Sequence, residues 1–63
     1  MCLSTVYRNS MEDANIAMKN VMRIECRDGS VILTDLMDRT VTIKGQLLEA
    51  NLVDGFVIVK ENE

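Results

Sequence analysis

Apolar and polar residues alternate with a period of two through much of this chain. Met22, Ile24 and Cys26 alternate with Arg23, Glu25 and Arg27, and Val41 and Ile43 alternate with Thr40, Thr42 and Lys44. Leu48, Ala50 and Leu52 alternate with Glu49 and Asn51. This period places the two sets on opposite faces of a strand. Val31-Ile32-Leu33 and Phe56-Val57-Ile58-Val59 are apolar at every position, which predicts strands covered on both faces. A barrel interior would supply one cover and a partner chain the other. Leu3 to Tyr7 is rich in β-formers and reads as a further strand.

Turn signals separate these runs. Asp28-Gly29 and Asp54-Gly55 each lie between apolar runs, the strongest short hairpin signal, and Lys44-Gly45 separates a third pair. The segment from Ser10 to Met22 is ambiguous. Met11, Ala14, Met18, Val21 and Met22 fall at helical spacing, with Ser10 and Asp13 as an N-cap. Asn15, Ile16, Asn20 and Val21 are mediocre helix formers, however. The preferred reading is a polar hairpin loop over Asn9 to Asn15, a short strand Ile16 to Met18 and a turn at Lys19-Asn20. That loop lacks the glycine expected in a tight hairpin. The pattern predicts one all-β domain over residues 1–63, a small antiparallel barrel of about six or seven short strands.

Length and composition add an assembly. A chain of 63 residues buries only about 60% of its unfolded surface. With 48% of it hydrophobic, there is more apolar material than one small core hides, and a symmetric homodimer is the expected outlet. The formal charge is −3 and the seven basic residues are scattered singly, which argues against a nucleic-acid backbone as partner. No apolar run approaches the roughly 20 residues of a membrane span. The start lacks a signal-peptide pattern, so the expectation is a cytoplasmic protein with reduced thiols. Histidine is absent, no catalytic Ser/His/Asp or Cys/His pair can be assembled, and an enzyme is not expected.

The candidate chemistry lies at the amino terminus. Met1-Cys2 brings an α-amine, the Cys2 main-chain amide nitrogen and the Cys2 thiolate within a few bonds of one another. Planar nitrogen and sulfur sets suit Ni(II) and Cu(II), whereas Zn(II) prefers a tetrahedron of thiolates and imidazoles. Two chains on a two-fold axis would supply two nitrogens and two thiolates. Removal of Met1 would leave an amine and thiolate on Cys2 instead. On spacing alone a lone cysteine is a weak metal signal, and an ordinary strand residue is the commoner explanation. Cys26 shares a face with Met22 and Ile24 and reads as core rather than as ligand. Met11, Met18, Met22 and Met37 form no close cluster and read as gap-fillers. Asp35 and Asp38, like Glu12 and Asp13, offer too few oxygens for a hard cation and read as solvated loops.

Five pieces together resemble a known family. They are Met1-Cys2-Leu3-Ser4-Thr5-Val6-Tyr7, Met18-Lys19-Asn20-Val21, Val31-Ile32-Leu33-Thr34-Asp35-Leu36, Gly45, and Asn51-Leu52-Val53. This pattern is similar to that of the CooT family of small nickel-binding proteins, also described as predicted RNA-binding proteins. The resemblance implies an SH3-like or Sm-like barrel, a homodimer, and Ni(II) held through the cysteine after the initiator, here Cys2. It also implies an accessory role in supplying nickel to carbon monoxide dehydrogenase as client. Met1 joins the site by donor geometry, through its main chain or amine. Two other classes stand beside this reading. One is a Sm-like RNA-binding module, which two aromatics, Tyr7 and Phe56, serve poorly. The other is a ligand-free interaction barrel.

Overall fold

The computed structural model describes residues 3–62. Five strands run in order: β1 (Ser4–Arg8), β2 (Ile16–Arg27), β3 (Ser30–Asp35), β4 (Thr40–Asn51) and β5 (Phe56–Glu61). They close into one barrel, each strand beside its neighbour in sequence and β5 beside β1. The four sequential pairings are antiparallel and the closing pair is parallel, Thr5 to Arg8 against Phe56 to Val59. An up-and-down meander with an odd number of strands can close no other way. Closure removes the unpaired edges at which a small sheet would otherwise aggregate.

There are five strands rather than six or seven because two are long and bent. β2 and β4 span 12 residues each. The expected turn at Lys19-Asn20 is a corner within β2, where Asn20 adopts φ 56° and register slips between Val21 and Arg23. The expected turn at Lys44-Gly45 is likewise interior to β4. A side chain at Gly45 would meet the Lys60 carbonyl oxygen at 1.8 Å, so the glycine serves close backbone approach. The two Asp-Gly hairpins are present, with Gly29 and Gly55 in the left-handed region at φ 76° and 77°. Asn9 takes that role in the first loop at φ 68°, and its Oδ1 accepts from the Glu61 amide at 2.9 Å. The helix weighed over 10–22 reduces to a three-residue 3₁₀ turn, Asp13–Asn15.

The core is an aliphatic cylinder of Val6, Val21, Val31, Leu33, Ile43, Val57 and Val59. Ala17, Met18, Ile24 and Val41 pack against it. Alternation is cleanest in β3, where Val31, Leu33 and Asp35 are buried and Ser30, Ile32 and Thr34 only partly so. In β5 Val57 and Val59 are buried while Phe56 and Ile58 on the other face are half-buried.

Candidate metal centre

Met1 and Cys2, the two residues on which the sequence places the metal, lie outside the described residues. The described part of this end begins with Leu3 and β1. Ser4 is buried, facing inward opposite Val21 in the β1–β2 ladder. The Thr5 amide donates to the Gly55 carbonyl at 3.0 Å, which ties the start of β1 to the β4–β5 turn. Ser4, Met22, Arg23, Ile24, Leu52 and Val57 line a recess of about 230 Å³ at this end of the barrel. Met22 and Leu52 of this lining belong to the chain's exposed apolar residues. Met22, Leu48, Leu52 and Val53 are exposed, Val53 at 95% of its full area. Burying such a side chain is worth about 1.5–3 kcal/mol.

Cys26 is not a core residue. It lies opposite the fully buried Val31 but is itself exposed. Alternation assigned its face and could not assign its depth. Met22 is exposed because it falls at the register slip between Val21 and Arg23. Met11, Met18, Met22 and Met37 sit on the first loop, on β2 and on the β3–β4 turn, and three of them are exposed. Among the described residues no group of three or more His, Cys, Asp or Glu side chains is placed to hold a metal.

Asp35 corrects a second expectation. It is only 3% exposed, not solvated. Its Oδ1 accepts from the Met37 and Arg39 amides at 2.9 Å each, and its Oδ2 accepts from the Arg39 Nε at 2.9 Å. Those donors fill the carboxylate and organise the β3–β4 turn. The Arg39 amide, the largest influence, together with the Arg39 guanidinium and the Met37 amide, holds its carboxyl below the usual carboxylate range against an opposing desolvation. The spacing Asp35 to Arg39 was the available signal, since an aspartate at the start of a turn bonds amides a few residues on. The two aromatics, Tyr7 and Phe56, are each half-buried in adjacent strands.

With the frame in place, relatives can be set beside it. The family model for CooT, the CO dehydrogenase accessory protein, matches residues 1–60. The chain belongs to the CooT family. Among solved structures, a crystal structure assigned as CooT from Carboxydothermus hydrogenoformans superimposes with a TM-score of 0.84 at 13% identity. That match covers 98% of this chain and 100% of the other. At such low identity it establishes the shared barrel alone. No curated protein sequence matches the chain. The family is thus one of accessory proteins for CO dehydrogenase, and its match takes in the Met1-Cys2 start as well as the residues that line the recess. No described helix is long and apolar enough to cross a membrane.

Proposed function

We propose that this CooT protein is a nickel carrier that holds Ni(II) as cargo through Cys2, with Met1 as neighbouring donor. It would store the ion or hand it to a maturing carbon monoxide dehydrogenase in the cytoplasm. The observation that carries the reading is the family match, which begins at residue 1 and so includes the Met-Cys pair. The donor chemistry fits the cargo, because amine or amide nitrogen with thiolate forms the planar set that Ni(II) favours. Capture requires the thiolate, so acid opposes binding and a client's own donors can complete release.

The working unit in this reading is a homodimer. Its contact surface is the apolar end carrying Met22, Leu48, Leu52 and Val53. The outer faces of β1 and β5 offer less, since Tyr7, Phe56 and Ile58 are already half-buried. Two chains meeting at this end would bring two amino termini together and supply four donors to one ion.

Cys2→Ser tests the site, because serine is nearly isosteric and leaves the strand unchanged. Tight nickel binding disappears while the barrel and the dimer persist, read by native mass spectrometry and by the thiolate-to-nickel charge-transfer bands. The expected stoichiometry is one Ni per two chains, and one per chain would mean two separate chelates. Leu52→Glu should yield a folded monomer that binds nickel weakly. Nickel bound by Cys2→Ser as tightly as by the parent would refute the proposal.

A further inference from the structure

The chain contains two Asp-Gly pairs, Asp28-Gly29 in the β2–β3 turn and Asp54-Gly55 in the β4–β5 turn, and the glycines are left-handed at φ 76° and 77°. Their surroundings differ. Asp54 is clamped, its amide donating to Asn51 Oδ1 at 2.9 Å and its Oδ2 accepting from Asn51 Nδ2 at 3.0 Å. The Gly55 amide donates to the Asn51 carbonyl at 2.9 Å, and the Gly55 carbonyl accepts from the Thr5 amide at 3.0 Å. Among the described residues, the Asp28 carboxylate has no hydrogen-bond or ion-pair partner and the Gly29 amide has no acceptor. Gly29 is held through its carbonyl, which accepts from the Gly45 amide at 2.9 Å. Both turn residues are exposed, and nothing lies within 4 Å of where a Cβ on Gly29 would stand.

From this contrast we infer that Asp28 is a site of spontaneous covalent modification, cyclising to a succinimide and opening to isoaspartate, and that Asp54 is protected from it. The Gly29 amide nitrogen attacks the neutral Asp28 carboxyl carbon. A nitrogen–Cγ bond forms, the carboxyl loses its hydroxyl and the amide its hydrogen, and one water leaves. Water then adds to either carbonyl of the five-membered ring. Cleavage at Cγ regenerates aspartate, whereas cleavage at the main-chain carbonyl carbon leaves Gly29 joined through Cγ, with no net change in mass. Glycine favours the attack because no Cβ hinders the approach of its nitrogen. At Asp54 the attack must first free the Gly55 amide from Asn51 and withdraw the carboxylate from Asn51 Nδ2. Breaking even one such bond lowers the reactive population about 5-fold. The product at Asp28 presents an α-carboxylate at an exposed hairpin tip, the group that an isoaspartyl carboxyl methyltransferase accepts.

The full folded chain is incubated for weeks at neutral pH and physiological temperature, beside the same chain unfolded in urea. Isoaspartate is assigned to each site by electron-transfer fragmentation of separated peptides. Methyl transfer from S-adenosylmethionine by an isoaspartyl methyltransferase gives an independent total. In the folded chain Asp28 should convert at least about 5-fold faster than Asp54. The difference should vanish in urea, where neither turn persists. Asn51→Ala, which removes both side-chain bonds to Asp54, should accelerate Asp54 about 5-fold or more and leave Asp28 unchanged. Equal rates at the two sites of the folded chain, or a faster Asp54, overturn the inference. So does an Asp28 that stays unconverted in the folded chain while the unfolded chain reacts. A difference that survives in urea also overturns it, because flanking residues rather than the turns would then be the cause.

Discussion

Replacing Gly45 by alanine should be among the most damaging single-methyl additions this barrel can receive. The new Cβ would lie 1.8 Å from the Lys60 carbonyl oxygen, 2.9 Å from its carbonyl carbon and 3.0 Å from Glu61 Cα. All three are backbone atoms, so no side chain can swing aside. Restoring a separation of 3.0 Å from the oxygen needs a displacement of at least 1.2 Å between β4 and β5. A shift of that size endangers the bond from the Asn62 amide to the Lys44 carbonyl at 2.7 Å. It also endangers the bond from the Gly45 amide to the Gly29 carbonyl at 2.9 Å. Each such bond contributes about 0.5–1.5 kcal/mol net, and the overpacking itself costs about 1–3 kcal/mol. The expected loss is about 2–6 kcal/mol, against a total of roughly 3–9 kcal/mol for a domain of this length. Gly29→Ala is the internal control. It sits at φ 76° with nothing within 4 Å, so only the left-handed penalty of about 1–2 kcal/mol applies. Urea unfolding followed by circular dichroism gives both values. If Gly45→Ala loses no more stability than Gly29→Ala, the close approach of β4 and β5 is not what requires glycine here.

Acid should weaken the barrel through Asp35. Its carboxyl is depressed in the folded state, so its contribution is present above the unfolded value of about 3.9 and is lost as pH falls through the lower folded value. Urea midpoints of the parent should therefore fall below about pH 4, and Asp35→Asn should show a flatter acid limb; equal limbs would dismiss the carboxylate as the cause. Cys26→Ser should change stability by less than about 0.5 kcal/mol because the side chain is exposed, and nickel binding should survive it. A loss of about 2 kcal/mol or more in the same urea assay would mean that Cys26 is covered, as in a core or an interface.

The sequence disclosed turns and faces better than it disclosed corners and depth. Asp28-Gly29 and Asp54-Gly55 were legible because a left-handed glycine after an aspartate has few other uses. Gly45 carried the same letter with a different meaning. Its neighbours Lys44 and Gln46 are not turn formers, and a lone glycine inside a period-two run signals close backbone approach as readily as a turn. At Asn20 a bend with positive φ looked like a chain reversal, because a single residue in that conformation begins both. Leu48 shows the limit of parity. The register slips between Leu47 and Glu49, so Leu48 is supernumerary and the alternation continued from it was out of step with the first half of β4. Cys2 was singled out by its chemistry and by the family resemblance, and it lies outside the described residues. Period two placed Arg23 on a solvent face, and its side chain is 65% exposed there beside Glu25.

The corner in β2 and the odd strand count together explain how the end of the barrel at which β1 begins is built. Five strands in a meander force β1 and β5 to run parallel, so their first residues share one end of the barrel. The turn that feeds β5 must then lie beside the start of β1, as the bond from Thr5 to Gly55 records. Leu52 and Val53 enter that turn directly from β4, and their exposure next to Ser4 follows from connectivity. β2 leaves β1 at Val21, its last pairing toward that end, and continues with β3 alone. Met22 and Arg23 are the first residues past that parting, which is why one flanks the recess with a thioether and the other with a cation. A four-strand or six-strand meander would close antiparallel and place the start of β1 opposite the end of the last strand. The turn that feeds the last strand and the start of β1 would then lie at opposite ends of the barrel.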